Sequence, residues 1–346
     1  MADDRGGLPS SIVRLTSAPQ RLAVVWASRD VDALLSVLTS IGLVAVKLEP
    51  ADTGDFLAVS GAPSMLVVES DLIDDDLLAV INRMRDTAGT LSVAVLAGAD
   101  SHAAGLLRAM RAGLTDVVDP SEPEQIPATL GLAKGGSTRE RVLAVGAHPD
   151  DVEIGCGATL LRHRNLGDPI TALTLSQGAV GGVQRTRCRE ASAAAIAMSA
   201  ELLMGDLPDT RMGEADDMVT LIEEVIAVVN PTTVYVHSAA DNHQDHRAVH
   251  DATMIATRRV QQVFCYQSPS SRNGFAPTKF VPVDDTIDEK VTVLANYRSQ
   301  STRHYLEPDL VVATSRYWAR QLPHTRYAEP FEVIRATEPN HIAQSP

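Results

Sequence analysis

The stretch that decides the fold is residues 142–157, VLAVGAHPDDVEIGCG. It opens with a short apolar run, passes through a histidine, a proline and two carboxylates, and continues into the helical pattern of residues 158–163. This order predicts a buried parallel strand, a tight turn and a helix. In open α/β sheets, ligands bind at the carboxyl ends of such strands. The polar residues of the turn are therefore candidate site residues.

The turn can direct two of its side chains at one point. Pro149 fixes its own φ and biases His148 toward an extended backbone. His148 and Asp151 can then converge while Asp150 points elsewhere. An imidazole and a carboxylate that converge suit Zn²⁺, which takes nitrogen and oxygen ligands at about 2.0–2.2 Å.

A further zinc ligand is available in residues 234–247, VYVHSAADNHQDHR. Here a second apolar strand runs into a polar turn and then into a helix. His243 and His246 lie three residues apart with a carboxylate between them. This spacing predicts one metal ligand and one acid/base group.

The AHPDD run at residues 147–151, followed at a distance by HQDH at 243–246, resembles the PIG-L/LmbE-like zinc de-N-acetylases. That family includes N-acetylglucosaminyl-phosphatidylinositol deacetylases and sugar deacetylases of mycothiol and bacillithiol synthesis. The resemblance covers residues 141–337. It implies a Rossmann-like, doubly wound α/β domain that hydrolyses the N-acetyl group of an amino sugar or related small glycoside, with one Zn²⁺ per chain.

The resemblance also implies a role for each motif residue. The expected metal ligands are His148, Asp151 and His246. Asp150 would be the general base that takes a proton from metal-activated water. His243 would stabilise the oxyanion or protonate the leaving amine. Asp245 would hold and charge that imidazole.

Two further positions match the family outside these motifs. Arg187 and Glu190 fit its Arg-x-x-Glu pattern on an alanine-rich helix, and the arginine is expected to face the oxygens of the substrate; the alternative is an exposed helix arginine. Asp209, in Leu-Pro-Asp, is a candidate contact to a sugar hydroxyl. Tyr297 stands where the family more often has histidine.

The remaining histidines near the motifs have plainer interpretations. His237 lies inside an apolar strand, which is typical of a hydrogen-bonded core histidine. His250 follows His246 by one helical turn, and the resemblance places it behind the ligands or on the surface.

Residues 20–133 alternate strands and helices, which implies a parallel doubly wound sheet. The pattern resembles a response-regulator receiver domain, which has a flavodoxin-like fold. Its phospho-acceptor aspartate would fall at Glu69, its acidic pair at residues 27–28 and its lysine at Asp119. We interpret this part as a degenerate receiver that takes no phosphate and acts as a spacer or dimerisation domain.

The expected domain organisation has three parts. A receiver-like domain covers residues 20–133, a linker 134–140 and the deacetylase domain 141–337. Residues 1–19 are expected to form a loose tail. A length of 346 residues is sufficient for two such domains.

The composition excludes several classes of partner. A net charge of −14 argues against binding nucleic-acid backbones or anionic membranes. No apolar run approaches the roughly 20 residues of a membrane span. Three scattered cysteines favour a reducing cytoplasm, and 26 arginines beside four lysines suggest a GC-rich bacterial source. The expected partner is a small N-acetylated molecule, with homo-oligomers possible through either domain.

Two other functions remain open. The first is a zinc amidase of the same fold that acts on another acylated amine, for instance in natural-product biosynthesis. The second is a non-catalytic regulatory or binding protein that keeps the fold. Retention of both Asp150 and His243 argues against the second.

Overall fold

A computed structural model describes residues 7–17, 21–40, 43–53, 63–88, 91–130 and 140–337 of the chain. The chain divides into two compact units, residues 20–139 and residues 1–19 together with 140–346. The predicted linker, apart from Glu140, lies outside the described residues.

The described strands and helices follow the alternation expected of an α/β protein. The strands are β1 Val13–Thr16, β2 Arg21–Trp26, β3 Leu43–Lys47, β4 Met65–Glu69, β5 Ser92–Leu96, β6 Val117–Val118, β7 Val142–Gly146, β8 Ile170–Thr174, β9 Glu201–Met204, β10 Thr233–His237, β11 Gln262–Tyr266, β12 Lys279–Pro282 and β13 Ala328–Ala336. The α-helices are α1 Asp32–Ser40, α2 Asp75–Ala88, α3 Ala103–Arg111, α4 Ile126–Thr129, α5 Asp151–Asn165, α6 Gln184–Ala197, α7 Met218–Val229, α8 Gln244–Ala256, α9 Ile287–Leu294 and α10 Pro308–Ala319. Short 3₁₀ turns span Pro50–Asp52, Ser70–Leu72, Met212–Glu214, Arg298–Gln300 and His304–Leu306.

The unit of residues 20–139 has a sheet of strand order β3-β2-β4-β5-β6. All of its described strand pairs are parallel. Apolar residues are buried on both faces, around Leu34 and Val67 on one side and around Trp26 and Ile81 on the other. Burial on both faces is typical of parallel sheets covered by helices, and the predicted α/β class with parallel sheets is confirmed.

The second unit has an eight-stranded sheet of order β1-β9-β8-β7-β10-β11-β13-β12. Its central strands β9, β8, β7, β10 and β11 are parallel, and the flanking pairs are antiparallel. From β7 the chain continues to β8 on one side, whereas β10 lies on the other. This reversal is a topological switch point, and ligands bind at the carboxyl ends of the strands there.

The prediction of a loose N-terminal tail is wrong for the described residues. β1 pairs antiparallel with β9, with Val13 opposite Met204. Leu8 and Ile12, just before it, are buried in the apolar core of this unit. Without β1, the outer backbone N–H and C=O groups of β9 would be unpaired at the sheet edge. The strand from the N-terminal segment provides their hydrogen-bond partners.

Helix α5, which follows the first motif, is interrupted near its start. Cys156 has a non-helical backbone with φ −142° and ψ 17°. The backbone N–H groups of Ala158 and Thr159 beyond it donate to the buried carboxylate of Glu329 at 3.1 and 2.7 Å. The Nζ of Lys290 neutralises that carboxylate at 2.6 Å. The first turn of α5 can therefore aim its side chains independently of the rest of the helix.

Gly155 precedes this interruption at a point where no side chain fits. A Cβ there would lie 2.1 Å from the ring of Tyr266 on β11. A substitution would therefore push the first turn of α5 off the sheet.

No helix in the described part of the chain is long and apolar enough to cross a bilayer. Cys156, Cys188 and Cys265 are free thiols. A cytoplasmic location stays a prediction.

Candidate active site

The turn after β7 separates the two neighbouring aspartates. Asp150 adopts φ 104° and ψ −22°, a left-handed conformation that costs a non-glycine residue on the order of 1–3 kcal/mol. Asp151 is the first residue of α5, and its Oδ2 accepts a 2.7 Å hydrogen bond from the backbone N–H of His148. The two carboxylates therefore have different surroundings, as the sequence suggested.

Asp151 is the centre of a ring of imidazoles. Its Oδ2 lies 3.4 Å from Nδ1 of His148 and 3.2 Å from Nε2 of His237, and its Oδ1 lies 3.4 Å from Nε2 of His246. Burial alone would raise the pKa of Asp151, but the imidazoles of His246 and His237 hold it well below its usual range. The carboxylate is thus ionised and available to a cation.

The second motif places His243 and His246 beside Asp151 and the residues of the first motif. The His246 ring stacks on His237 at 3.8 Å and on His243 at 4.5 Å between centroids. His148 meets His243 edge-on at 4.9 Å. The site therefore joins the carboxyl ends of β7 and β10, at the switch point of the sheet.

Among the residues that the structure describes, three sets of three donor side chains have one ligand atom each within 4.8 Å of the others: His148 with His243 and His246, Asp151 with His237 and His246, and His148 with Asp209 and Asp245. The predicted set of His148, Asp151 and His246 is not one of these three. Its members are connected because Asp151 lies close to both His148 and His246. Imidazole nitrogens and carboxylate oxygens are the donors that zinc takes.

The electrostatics of the site also favour a cation. Burial lowers the pKa of His246, but the carboxylates of Asp151 and Asp241 outweigh burial and raise it to about 9. Burial likewise opposes protonation of His148, yet Asp151, Asp209 and Asp245 raise its pKa to about 12. Both shifts have the same cause, the negative potential of the surrounding carboxylates, which would also attract a metal cation. The residues present therefore fit a divalent metal.

Asp245 does not hold His243 as expected. Its Oδ2 lies 3.1 Å from Nε2 of His148 and accepts from the backbone N–H of Thr210 at 2.7 Å. Its Oδ1 accepts from the N–H of Met212 at 3.2 Å. His243 meets only the backbone of Asp245, whose N–H donates to Nδ1 of His243 at 3.2 Å. The start of α8 directs the Asp245 side chain toward the first motif, so it orients His148.

Asp209 also contacts His148. Its Oδ1 lies 3.1 Å from Nε2 of that ring, and its Oδ2 accepts from the N–H of Val180 at 2.7 Å. Both oxygens thus have protein partners, although Asp209 lines the cavity described below. A role in binding a sugar hydroxyl stays a prediction.

Asp150 is held by Arg187. Both terminal nitrogens of the guanidinium lie 3.2 Å from Oδ2 of Asp150, and one also donates to the carbonyl of Pro149. Burial raises the pKa of Asp150 to about 7, against the opposing charge of Arg187. Arg187 is only 3% exposed, so the alternative of an exposed helix arginine is wrong. It lines the cavity, but its terminal nitrogens are engaged by the turn after β7.

Sequence reasoning missed Asp241. Its Oδ2 lies 3.1 Å from Nδ1 of His246 and accepts from the hydroxyl of Ser268. Its Oδ1 accepts from the N–H of His243 at 2.8 Å and from Ser270 at 2.6 Å. A carboxylate behind a ligating histidine fixes the ring orientation. The available signal was its position two residues before His243, within the second motif.

His237 and His250, the two histidines to which the sequence assigned no metal or catalytic role, are both buried. His237 lies with its Nε2 3.2 Å from the N–H of Ala147 and contacts Asp151, so it is a core histidine that also supports the site. His250 donates from Nδ1 to the carbonyl of His237 at 2.8 Å. It therefore lies behind the donor set rather than on the surface.

A cavity of about 420 Å³ opens over these groups. Besides the residues of both motifs it is lined by Ile154, Gly178, Val180, Gly181, Arg187, Asp209, Thr210, Pro269, Ser270, Gln300, Arg303 and Tyr305. Glu190 secures one wall, since its carboxylate accepts from the N–H and the hydroxyl of Ser299 at 2.7 and 2.6 Å. Tyr297 is buried behind Arg187, 5.8 Å from the guanidinium carbon to the ring centroid.

Comparison with known proteins matches the part of the chain that contains both motifs. Residues 143–257 match the family described as PIG-L, GlcNAc-PI de-N-acetylase. The chain is 33% identical over 177 residues to the uncharacterized deacetylase YaiS of Escherichia coli (strain K12), a match that covers 49% of this chain and 96% of that protein.

Two solved structures share the fold. The conserved protein TT1542 from Thermus thermophilus superimposes with a TM-score of 0.52 and 25% identity, over 60% of this chain and all of that one. GalB, the 4-carboxy-2-hydroxymuconate hydratase from Pseudomonas putida KT2440, gives a TM-score of 0.50 and 22% identity, over 57% of this chain and 98% of that one. Because the second is named for another reaction, the fold alone does not decide the chemistry.

Proposed function

The chain belongs to the PIG-L family of GlcNAc-PI de-N-acetylases, and from this membership we propose that it is a metal-dependent hydrolase that removes an N-acetyl group from an amino sugar or a related small glycoside. The observation that supports the proposal most directly is that the neighbouring aspartates Asp150 and Asp151 have different contacts. Asp151 faces the imidazoles, whereas Asp150 is buried against Arg187 in the same cavity.

We propose zinc as the metal, one ion per chain, held by His148, Asp151 and His246. The donor types, and the low pKa that keeps the Asp151 carboxylate ionised, support this choice. Bound zinc supplies Lewis acidity, which acidifies water and polarises a carbonyl oxygen.

Asp150 is the proposed general base. Its Oδ2 is held by Arg187, which leaves Oδ1 to take a proton from the attacking water. A pKa near 7 suits a group that must accept a proton and later release it near neutral pH. The left-handed backbone at Asp150 keeps this carboxylate apart from Asp151.

His243 is the proposed acid or oxyanion stabiliser. Its Nδ1 accepts a hydrogen bond from the N–H of Asp245, so the proton of the neutral ring lies on Nε2. That N–H can donate a hydrogen bond to the developing oxyanion, whereas protonation of the leaving amine would require a second proton on the ring. The backbone of Asp245, and not its carboxylate, selects this tautomer.

The runner-up is a zinc amidase that acts on another acylated amine, since no described residue that lines the cavity demands a sugar. A purified, zinc-loaded sample assayed on N-acetylglucosamine, its methyl and 1-phosphate forms and non-sugar acetamides would separate these. Release of acetate and a primary amine from the sugars supports the proposal. Turnover confined to the non-sugar amides would favour the runner-up, and no turnover of any acetamide would contradict both.

Asp241→Asn should weaken metal binding about 10- to 100-fold, the usual effect of removing a carboxylate behind a ligating histidine. The asparagine keeps the shape but lacks the charge that orients and polarises His246. Zinc affinity measured by competition with a chromogenic chelator tests this, with exposed Asp206→Asn as the control for a lost surface charge. Unchanged affinity in Asp241→Asn would contradict the assigned role.

We further propose that residues 20–133 are a degenerate receiver-like domain. The strand order, 2-1-3-4-5 within this unit, is the flavodoxin-like order. Glu69, at the expected phospho-acceptor position, already accepts from the N–H and hydroxyl of Ser28 at 2.6 and 2.7 Å and from Arg29 at 2.6 Å.

Incubation with acetyl phosphate and Mg²⁺ should therefore leave this domain unmodified. Intact-mass analysis before and after incubation measures the result. An acyl-phosphate adduct mapped between residues 20 and 133 would overturn the proposal.

A further inference from the structure

Lys290 and Glu329 form a buried salt bridge at the point where helix α5 is interrupted. Lys290 lies on α9 and Glu329 on β13. Their side chains are 6% and 2% exposed, and Nζ lies 2.6 Å from Oε1. A buried ion pair is by itself weak evidence for a stabilising role, because the desolvation of two charges offsets much of their attraction. The backbone contacts of this pair indicate another role.

The salt bridge binds the two backbone groups that a continuous helix would join. In an α-helix the N–H of Ala158 would donate to the carbonyl of Ile154, four residues earlier. In this protein the N–H of Ala158 donates to Oε1 of Glu329 at 3.1 Å. The carbonyl of Ile154 accepts from Nζ of Lys290 at 2.6 Å. The salt bridge therefore spans the interruption at Cys156, with one partner bonded on each side of it.

The first turn of α5 connects this contact to the neighbouring aspartates. The N–H of Ile154 donates to the carbonyl of Asp150 at 2.9 Å. Asp151 lies three residues before Ile154 in the same turn. A shift of Ile154 along the helix would therefore move Asp151 relative to His246, which belongs to α8.

The first turn also borders a second cavity. A volume of about 270 Å³ is lined, among other residues, by Ile154 and Gly155 of this turn and by both members of the salt bridge. Because side chains do not fill this space, close packing alone does not fix the turn there. Its position depends on the hydrogen bond from Lys290.

We propose that Lys290 and Glu329 are positioning residues for the metal site, which fix the direction of Asp151 by binding the backbone groups of Ile154 and Ala158. The inference rests on the proposed function, in which Asp151 is a metal ligand. Functional side chains must lie within about 0.5 Å of their productive geometry. A change in the path of α5 at Ile154 is therefore enough to weaken the site without direct contact.

The test replaces both partners at once, in Lys290→Met/Glu329→Gln. Loss of one partner alone would leave a buried charge unpaired and strongly destabilise the fold, whereas replacement of both by neutral side chains of similar volume is often neutral. In the double variant Ile154 and Ala158 are free to form the ordinary helical bond. The metal-free variant should unfold near the wild-type temperature, yet bind zinc roughly 10- to 100-fold more weakly, the range for groups that orient metal ligands. Circular dichroism on heating and competition with a chromogenic chelator measure the two quantities.

The visible spectrum of bound Co²⁺ is a readout that a change in stability does not move. Its d–d bands depend on the number and geometry of the ligands, so their position or intensity should differ between the wild type and the double variant, each saturated with Co²⁺. Lys290→Gln/Glu329→Gln keeps a donor for Ile154 and an acceptor for Ala158 without charge. This second variant should recover part of the lost zinc affinity.

Arg164→Met/Glu289→Gln is the matched control. Arg164 and Glu289 join the same two helices, α5 and α9, beyond the interruption, with 2.8 Å between the guanidinium and Oε2. Zinc affinity and the Co²⁺ spectrum should be unchanged in this control. Wild-type affinity and spectrum in Lys290→Met/Glu329→Gln, or an equal loss in the control, would overturn the inference.

Crystal structures of the metal-free proteins separate this inference from the proposed function. The 3.4 Å contact between Oδ1 of Asp151 and Nε2 of His246 requires neither metal nor turnover. A displaced Asp151 in Lys290→Met/Glu329→Gln supports the positioning role even if the wild-type protein binds no zinc. An unchanged α5 and an unchanged contact contradict it even if the deacetylase proposal holds.

Discussion

Replacement of His246 by alanine should abolish metal binding at micromolar protein concentration and reduce activity to background. His246 presents Nε2 to Asp151 at 3.4 Å, while Asp241 holds its other nitrogen. Loss of one of the three proposed ligands would leave too few donors to retain the ion against buffer and chelator. Elemental analysis after dialysis, together with acetate release from the preferred substrate, measures both effects.

His250→Ala is the matched control for that experiment. His250 lies one turn later on α8, is also buried, and contacts the backbone of His237 rather than the donor set. It should retain its metal, and circular dichroism shows whether either variant has lost its fold. Full metal occupancy in His246→Ala would remove this residue from the ligand set. His243 and His237, which share donor sets with it, would then be tested in turn.

Replacement of Asp150 by asparagine should separate chemistry from metal binding. The asparagine keeps an acceptor for Arg187 and does not touch Asp151, so metal content should match the wild type. It cannot take a proton, so kcat should fall by roughly 10²–10⁴, the usual range for general acid–base catalysis. KM should change little, because the interaction is made mainly in the transition state.

Asp151→Ala provides the contrast for Asp150→Asn. It removes the carboxylate that faces His148, His237 and His246, so metal and activity should be lost together. Metal content and steady-state kinetics on both variants distinguish ligand from base. A near-wild-type kcat in Asp150→Asn would place the base elsewhere, and His243 would be the next residue to test.

The local geometry of the first motif was open to prediction because it depends on neighbours in the chain. An apolar run, a proline and a helical pattern are enough to predict β7, a turn and α5, and Pro149 restricts the backbone of His148 before any tertiary contact forms. The divergence of Asp150 and Asp151 follows from that same turn. The parallel sheet was predictable for a similar reason, since strands that alternate with helices have few other arrangements.

The partners of these residues were decided only by tertiary structure. Asp245 was expected beside His243, its near neighbour in the chain, yet its carboxylate contacts His148 on a different strand end. Arg187 was expected to face the substrate; it lines the cavity, and only the fold shows that its guanidinium also pairs with Asp150, 37 residues away along the chain. Asp241 lies two residues before His243 in the chain, but only the folded structure places its carboxylate 3.1 Å from Nδ1 of His246.

The N-terminal segment shows the same limit. Residues 7–17 have little periodicity, and nothing within them specifies a partner, so the sequence alone predicted a loose tail. β1 forms because β9, far along the chain, is the edge of a parallel sheet with unpaired backbone groups. Sequence patterns report the preferences of a residue and its near neighbours, whereas hydrogen-bond partners depend on which strand ends and edges the fold brings together.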